Sequence, residues 1–233
     1  MLAENDIADY EFRLGKDEHR EEPEEYSWDE FERIIEHFNP QNAREWRRSA
    51  VIMLLGHQGV RERAALHLRW KDLDLERGVI TWPAQFDKMG KTWTQPIRDG
   101  ARSALFTSLY WRAKQQYTGP WVFWSPWGEK KRKGHEVPGV YGAQALWKGI
   151  NEAEAAAGIP KRYLRSAHGF RRMVSGQILE ETGDPVLAIQ FIGDEDLRVA
   201  GLYLKRRDNR LRAAAELLDR KGPGKVLREM LRV

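Results

Sequence analysis

The 233-residue sequence contains no cysteine, and none of its apolar runs approaches the length of a membrane span. Without cysteine, disulfide bonds, thiolate zinc sites and cysteine nucleophiles are excluded, and a reducing cytoplasm is a suitable environment. A membrane helix needs about 20 consecutive apolar residues, so none is expected. The first residues, Met1 to Asp6, also lack the basic start and apolar segment of a secretory signal. We therefore expect a cytoplasmic protein that does not enter a membrane.

Acidic residues are concentrated at the start of the chain. Residues 1–25 hold ten acidic and three basic side chains, a net charge of −7, and the rest of the chain holds 36 basic and 25 acidic side chains, a net charge of +11. The positive charge of residues 26–233 has two equally good interpretations. It could bind a polyanionic partner, most often nucleic acid, or it could keep the surface soluble. We expect residues 1–25 to form a flexible acidic leader.

The rest of the chain, residues 26–233, shows mainly helical periodicity. Ser27 and Glu30 form a capping-box signature, and Asp184 before Pro185 has the pattern of another helix start. β-Branched and aromatic residues on both sides of a turn at residues 88–91 predict a hairpin. The expected fold class is mainly α with a small antiparallel β-sheet (α+β) and a basic helical tail. We predict helices over residues 28–38, 43–57, 61–68, 99–117, 140–157, 168–181 and 185–192, with Asp99 capping the fourth, and strands over residues 79–82, 92–97 and 121–123.

Two residues in the first half of the chain are suited to phosphate chemistry. Arg61 follows Gly59 at the start of a short predicted helix, and helix N-termini attract anions. Lys88 lies at the tip of the predicted hairpin, where a lysine can reach into a groove and deliver a proton. Each of these residues on its own is more typical of an ordinary surface position.

The second half of the chain holds three more residues of this kind. His168 and Arg171 are three positions apart, so on a helix they share a face and are suited to bind a phosphate and handle its protons. The hydroxyl of Tyr203 becomes a usable nucleophile when cations stabilise the charge that develops on its target. A structural histidine and a half-buried tyrosine are the ordinary interpretations of the same residues.

Together and in this order, these signals resemble the tyrosine recombinase (phage integrase) family, in its C-terminal catalytic domain. The similarity covers roughly residues 26–215, most of the chain. The boxes around Arg61 and from His168 to Tyr203 are specific, whereas Lys88 is matched through its place in a strand–turn–strand. The segments that carry the resemblance are Gly59-Val60-Arg61, Leu68-Arg69-Trp70-Lys71-Asp72-Leu73-Asp74, Lys88, His168-x-x-Arg171, Ile192-Gly193 and Tyr203.

The resemblance implies an enzyme that cuts one DNA strand at a time and exchanges strands between two sites of a mobile element. Tyr203 would attack the scissile phosphorus and form a 3′-phosphotyrosyl link. Arg61 and Arg171 would bind the non-bridging oxygens, His168 would assist proton transfer at the nucleophile, and Lys88 would donate a proton to the leaving 5′-hydroxyl.

Neither ATP nor a metal ion is needed for this chemistry, because the covalent link keeps the energy of the phosphodiester and two guanidiniums stabilise the transition-state charge. The sequence agrees, since it has no G-x-x-x-x-G-K-[ST] loop, no H-E-x-x-H motif and no clustered carboxylate set. We therefore expect no cofactor and no metal.

Two residues depart from the family pattern. Asp194 follows Gly193, where the family usually has a histidine or tryptophan that hydrogen-bonds the phosphate. An ionised carboxylate facing a phosphate is repulsive by about 1–4 kcal/mol at 4 Å. Asp194 could therefore turn away, be protonated or water-bridged, or make cleavage poor. Ala64 stands where the family often has a glutamate that braces the arginine, and Glu62 should face elsewhere, which leaves the orientation of Arg61 open.

The expected partner is double-stranded DNA, bound by a homo-oligomer that family resemblance makes a tetramer. Members of the family commonly carry an N-terminal DNA-clamping domain, and only the acidic leader precedes residue 26. The chain would then be either shortened or a minimal form that lacks half of the clamp. The residues expected to contact the DNA backbone are Lys91, Lys130, Lys131, Arg132, Lys133 and Arg165.

Two alternatives stay open. A type IB topoisomerase-like enzyme shares the chemistry but religates the same strand. A DNA-binding protein of the same fold with weak or lost cleavage is the other alternative, and Asp194 gives it some weight.

Overall fold

The computed structural model describes residues 24–126, 139–161 and 167–194. The expected acidic leader, up to residue 23, and the expected basic tail from residue 196 lie outside the described residues. Within them, the expected fold class is confirmed, because seven α-helices and one three-stranded antiparallel sheet are present. No described helix is long and apolar enough to cross a membrane. The helices are α1 (Trp28–Glu36), α2 (Trp46–Gln58), α3 (Glu62–Leu66), α4 (Asp99–Lys114), α5 (Ala143–Ala156), α6 (Ala167–Thr182) and α7 (Pro185–Ile192).

Helix α2 lies at the centre of the molecule. It packs against α4, α5 and α6, and all but three of its 13 residues are buried. Trp46 at its start is fully buried and stacks on Trp111 of α4 with ring centroids 6.0 Å apart. The apolar surface removed from water here is the main source of stability of such a core. Helix α6, which carries Arg171, packs against both α2 and α7. Asp194 comes just after the end of α7, so it lies on an element next to α6.

The sheet consists of β1 (Leu73–Asp74), β2 (Val79–Trp82) and β3 (Trp93–Pro96) in the order β1-β2-β3. Trp82 pairs with Trp93 at the end of the β2–β3 hairpin, from which the chain continues into the turn that carries Lys88. The hairpin was predicted, whereas β1, which is only two residues long, was not. Its pairing of Leu73 with Ile80 depends on the turn between them.

Both predicted helix caps at α1 and α7 are present. Ser27 and Glu30 form a capping box at α1, and the carboxylate of Asp184 accepts hydrogen bonds from the backbone of Val186 and Leu187 at 2.8 and 3.1 Å. These bonds satisfy N–H groups that a helix start leaves without a partner.

Local hydrogen bonds delay the start of α2 and give α4 a different N-cap from the one predicted. The side chain of Asn42 accepts from the backbone of Arg44 at 2.9 Å, and this Asx turn keeps the chain out of the helix until Trp46. Arg98, not Asp99, is the N-cap of α4, because the Gln58 side chain accepts from its backbone N–H at 3.1 Å and holds it extended.

The predicted strand at residues 121–123 is wrong. Trp121 and Trp124 each form a single isolated bridge, with Arg69 and Val140 respectively, and the segment between them is buried. Because Val140 belongs to one of these bridges, α5 begins at Ala143 and not at residue 140. Apolar character alone does not distinguish a strand from a buried bridge segment.

Candidate active site

Arg61 and Arg171 are brought together from separate elements. Arg61 is the N-cap of α3, two residues after the left-handed Gly59 (φ +63°) that ends α2, and Arg171 lies on α6. The Nη1 atom of Arg171 donates to the carbonyls of Gly59 and Ile192 at 3.0 and 2.5 Å. These bonds fix a buried guanidinium against the C-terminal ends of α2 and α7, which attract positive charge.

Asp194 lies between the two arginines. The Nη2 atom of Arg61 donates to Oδ2 of Asp194 at 3.0 Å, and the Nη2 atom of Arg171 donates to the same oxygen at 2.9 Å. Only 11% of the Asp194 side chain is exposed, so these ion pairs are shielded from water. Asp194 therefore does not turn away from the cations, and its carboxylate occupies the point on which both guanidiniums converge.

The end of α7 determines this position. Gly193 adopts a left-handed conformation (φ +69°), and the N–H of Asp194 donates to the carbonyl of Ile189 at 2.9 Å. This closing turn directs the Asp194 side chain back toward α6. A Cβ on Gly193 would overlap the Trp93 ring of β3, so α7 and the sheet approach each other closely here.

Asp87 also holds Arg61, at the place left open by Ala64. Its Oδ1 accepts from Nη1 of Arg61 at 2.6 Å, and that nitrogen also donates to the carbonyl of Gly193 at 3.3 Å. Glu62 faces elsewhere, as expected, since its carboxylate accepts from the Trp147 indole at 3.3 Å. Sequence reasoning missed Asp87, although its position directly before Lys88 in an Asp-x-x-Gly turn was a visible signal.

His168 lies in the first turn of α6 and reaches the surface. Desolvation by its surroundings lowers the pKa of its imidazole, and the positive charges of Arg171, Arg172, Arg61 and Lys88 lower it further. All four cations are therefore within electrostatic reach of one imidazole. The ring is neutral at pH 7 and has a nitrogen that can accept a proton.

Two lysines of the hairpin lie at the rim of the site. Lys88 and Lys91 are both exposed. A small cavity of about 180 Å³ opens beside them, and Lys91, Trp93, Gln190 and Asp194 contribute to its lining. Arg61, Arg171 and Lys88 thus lie within electrostatic reach of the His168 imidazole, and the carboxylates of Asp87 and Asp194 lie against Arg61.

The other expected site residues cannot be placed. Tyr203 lies outside the described residues, as do the expected DNA-backbone contacts Lys130, Lys131, Arg132, Lys133 and Arg165. Among the residues that are described, no group of three histidine or carboxylate side chains is arranged to hold a metal ion.

The chain is similar in sequence to one protein family and in fold to several solved structures. The model of the phage integrase family matches residues 26–210. A search of curated protein sequences found no match. Similar solved structures include XerA recombinase (22% identity, TM-score 0.63) and the XerH site-specific recombinase bound to palindromic difH substrate in a post-cleavage complex (20% identity, TM-score 0.67). A lambda integrase tetramer bound to a Holliday junction is also similar, at 14% identity and a TM-score of 0.58.

The relatives are longer than this chain. The similarity covers 87% of this chain and 67% of XerA, 88% of this chain and 56% of XerH, and 79% of this chain and 48% of lambda integrase. The chain thus spans between 48% and 67% of the length of these three proteins.

Proposed function

Because the chain belongs to the phage integrase family, we propose that it is a site-specific DNA recombinase or integrase that acts through a 3′-phosphotyrosyl intermediate. The observation that carries the proposal is the convergence of Arg61 and Arg171 on one anionic oxygen. Guanidiniums present several N–H donors in a fixed plane, which matches the oxygens of a phosphodiester. Residues 26–233 would form the catalytic domain, preceded by a leader over residues 1–25.

In this proposal the scissile phosphate replaces the carboxylate of Asp194. Both groups are anions, and both are bound by N–H donors of the same two guanidiniums. Two anions at 4 Å repel each other by about 1–4 kcal/mol, so the Asp194 carboxylate moves away when the DNA phosphate binds. The site therefore binds phosphate less tightly than the two arginines alone would permit.

The proposed roles of Tyr203, His168 and Lys88 are defined by the protons that each gives or accepts during cleavage. The phenol oxygen of Tyr203 forms a bond to phosphorus while the bond from phosphorus to the 5′-oxygen breaks. The phenol proton passes to His168, whose lowered pKa keeps it neutral and ready to accept. The ammonium of Lys88 gives a proton to the departing 5′-oxygen, and a 5′-hydroxyl from the partner site later reverses these steps.

DNA binding by the chain would involve the phosphate backbone through its lysines and arginines, and the working site would be on DNA in the cytoplasm. The XerH and lambda integrase structures contain DNA, and one lambda integrase structure is a tetramer on a Holliday junction. We extend both features to this chain as proposals, namely a double-stranded DNA partner and a homo-tetramer on two duplexes.

The proposal is tested with a pool of nicked duplexes that carry a randomised segment, since a nick beside the scissile phosphate lets the cleaved strand diffuse away. The expected result is a DNA adduct that survives detergent and is mapped by mass spectrometry to Tyr203. Tyr203→Phe should bind the same duplexes without forming the adduct.

Two other outcomes would contradict the proposal. Binding without any adduct would indicate a protein of this fold that has lost cleavage. An adduct accompanied by relaxation of a supercoiled plasmid, with no recombinant product from the selected sites, would indicate a type IB topoisomerase-like enzyme.

A further inference from the structure

One carboxylate connects the hairpin turn to the arginine pair. Oδ1 of Asp87 accepts from Nη1 of Arg61 at 2.6 Å, and Oδ2 accepts from the backbone N–H of Met89 at 2.8 Å. The Asp87 side chain is only 4% exposed. Both of its oxygens are therefore engaged, one with the site and the other with the turn.

The turn itself is tightly defined. The N–H of Gly90 donates to the carbonyl of Asp87 at 3.2 Å, and Gly90 has a left-handed conformation (φ +67°). An aspartate whose side chain bonds the backbone two residues on stabilises this kind of turn. Lys88 lies between the two bonded positions, so its backbone is fixed relative to Asp87.

We propose that Asp87 is a positioning residue that keeps Lys88 at a set distance from the phosphate held by Arg61. The inference rests on the proposed DNA cleavage. A lysine has a long flexible stem, so the region that its ammonium can reach depends on where its backbone is held. If Asp87 is changed, Arg61 retains the Gly193 carbonyl as an acceptor and, in the proposed complex, the DNA phosphate, whereas the turn loses its bond to Arg61.

A change of Asp87 should therefore slow mainly the step in which Lys88 protonates the leaving 5′-oxygen. A misplacement of about 1 Å at a reacting group can slow a reaction roughly 100-fold. A sulfur atom in place of that oxygen leaves as a thiolate, whose conjugate acid has a far lower pKa than an alcohol, and so needs no proton donor.

The experiment compares Asp87→Asn with wild type on two nicked duplexes, one ordinary and one with sulfur at the 5′-bridging position, in single-turnover cleavage. Asparagine retains an oxygen for the Met89 N–H but removes the charge that binds Arg61. The expected result is cleavage about 100-fold slower on the ordinary duplex and close to the wild-type rate on the sulfur duplex. The double variant Asp87→Asn, Lys88→Ala should be no slower than Lys88→Ala alone.

Asp74→Asn is the matched control. Asp74 also accepts a backbone N–H within a turn of the sheet, from Arg77 at 2.9 Å, but the cation that it pairs with is the exposed side chain of that same Arg77. Its variant should cleave both duplexes like wild type.

Equal slowing of both duplexes by Asp87→Asn, or slowing of neither, would overturn the inference while leaving the proposed function intact. The absence of any Tyr203 adduct from wild-type protein on either duplex would instead overturn the proposed function.

Discussion

Each arginine of the site is paired with at least one carboxylate. Arg61 is paired with Asp87 and Asp194, and Arg171 is paired with Asp194. Removing one partner of a buried ion pair is costly, because the other charge is then left uncompensated. In the proposed complex the DNA phosphate provides that compensation when the Asp194 carboxylate leaves. Asp194 is therefore the residue whose replacement most directly alters the competition for the site.

We expect Asp194→His and Asp194→Asn to raise single-turnover cleavage. Either change removes an anion that competes with the phosphate, and a difference of 1.4 kcal/mol corresponds to about tenfold in rate. Asp184→Asn is the control, because it removes a carboxylate from the other end of α7 while asparagine still caps the helix. Equal or lower rates for the Asp194 variants would count against the role assigned to this position.

The lowered pKa of His168 predicts where the cleavage rate falls as the pH is lowered. The acid limb of the cleavage profile should lie below pH 6.5, the ordinary pKa of an imidazole, because burial and the nearby cations lower the pKa of His168. Arg172→Gln removes one of the charges that lower this pKa, so the acid limb should move to higher pH. Arg77→Gln, a change at an exposed arginine on the sheet, should leave the limb in place. An acid limb that does not move in Arg172→Gln would show that the limb reports another group.

At the scale of elements, the ends of helices determine the site. Arg61 follows the left-handed end of α2, and Asp194 follows the left-handed end of α7. The capping signals at Ser27 and Asp184 could be predicted, because a cap depends on neighbours in sequence. The bridges of Trp121 and Trp124 could not be predicted from the sequence, because they depend on segments that meet only in the folded chain.

Gly193→Ala should be far more destabilising than Gly183→Ala. Both glycines have a positive φ, at +69° and +74°, so an alanine at either position is strained by about 1–2 kcal/mol. Only at Gly193 would the new Cβ overlap the Trp93 ring, whereas no described atom lies within 4 Å at Gly183. The measurement is the free energy of unfolding in urea. Equal losses for the two variants would show that the α7–β3 approach is not tight.

At the scale of the whole molecule, the site exists because distant segments meet. Arg61 and Asp194 are 133 positions apart, and their contact depends on the packing of α2, α6 and α7. Residue types at motif spacing pointed to Arg61 and Arg171, which the structure brings together on Asp194, and their part in the chemistry stays a prediction. Of the carboxylates that hold them, Asp194 could be named from its place after Gly193. Its bonds to both arginines, and the bond from Arg61 to Asp87, could not be predicted, because they join segments far apart in sequence and follow no local period.

The buried part of the molecule also responds to pH through His57. Burial and the charge of Arg98 lower the pKa of His57 to about 4, and its ring packs against Trp28 and Phe31. Because the folded pKa is depressed, its contribution to stability is present above about pH 6.5 and is lost as the pH falls toward 4.

His57→Gln should therefore flatten the loss of stability on acidification. Unfolding in urea at pH 7 and pH 5 should show wild type losing up to about 1.4 kcal/mol more per pH unit than the variant. Parallel pH dependence of the two proteins would contradict the burial of a neutral imidazole at this position.

The most direct measurement of the central claim is a crystal structure of the Tyr203→Phe variant bound to its DNA site. We predict a phosphate within hydrogen-bond distance, about 3 Å, of both Arg61 and Arg171, with the Asp194 carboxylate displaced from between them. A structure in which Asp194 still bridges the two guanidiniums while the DNA phosphates lie elsewhere would contradict the account.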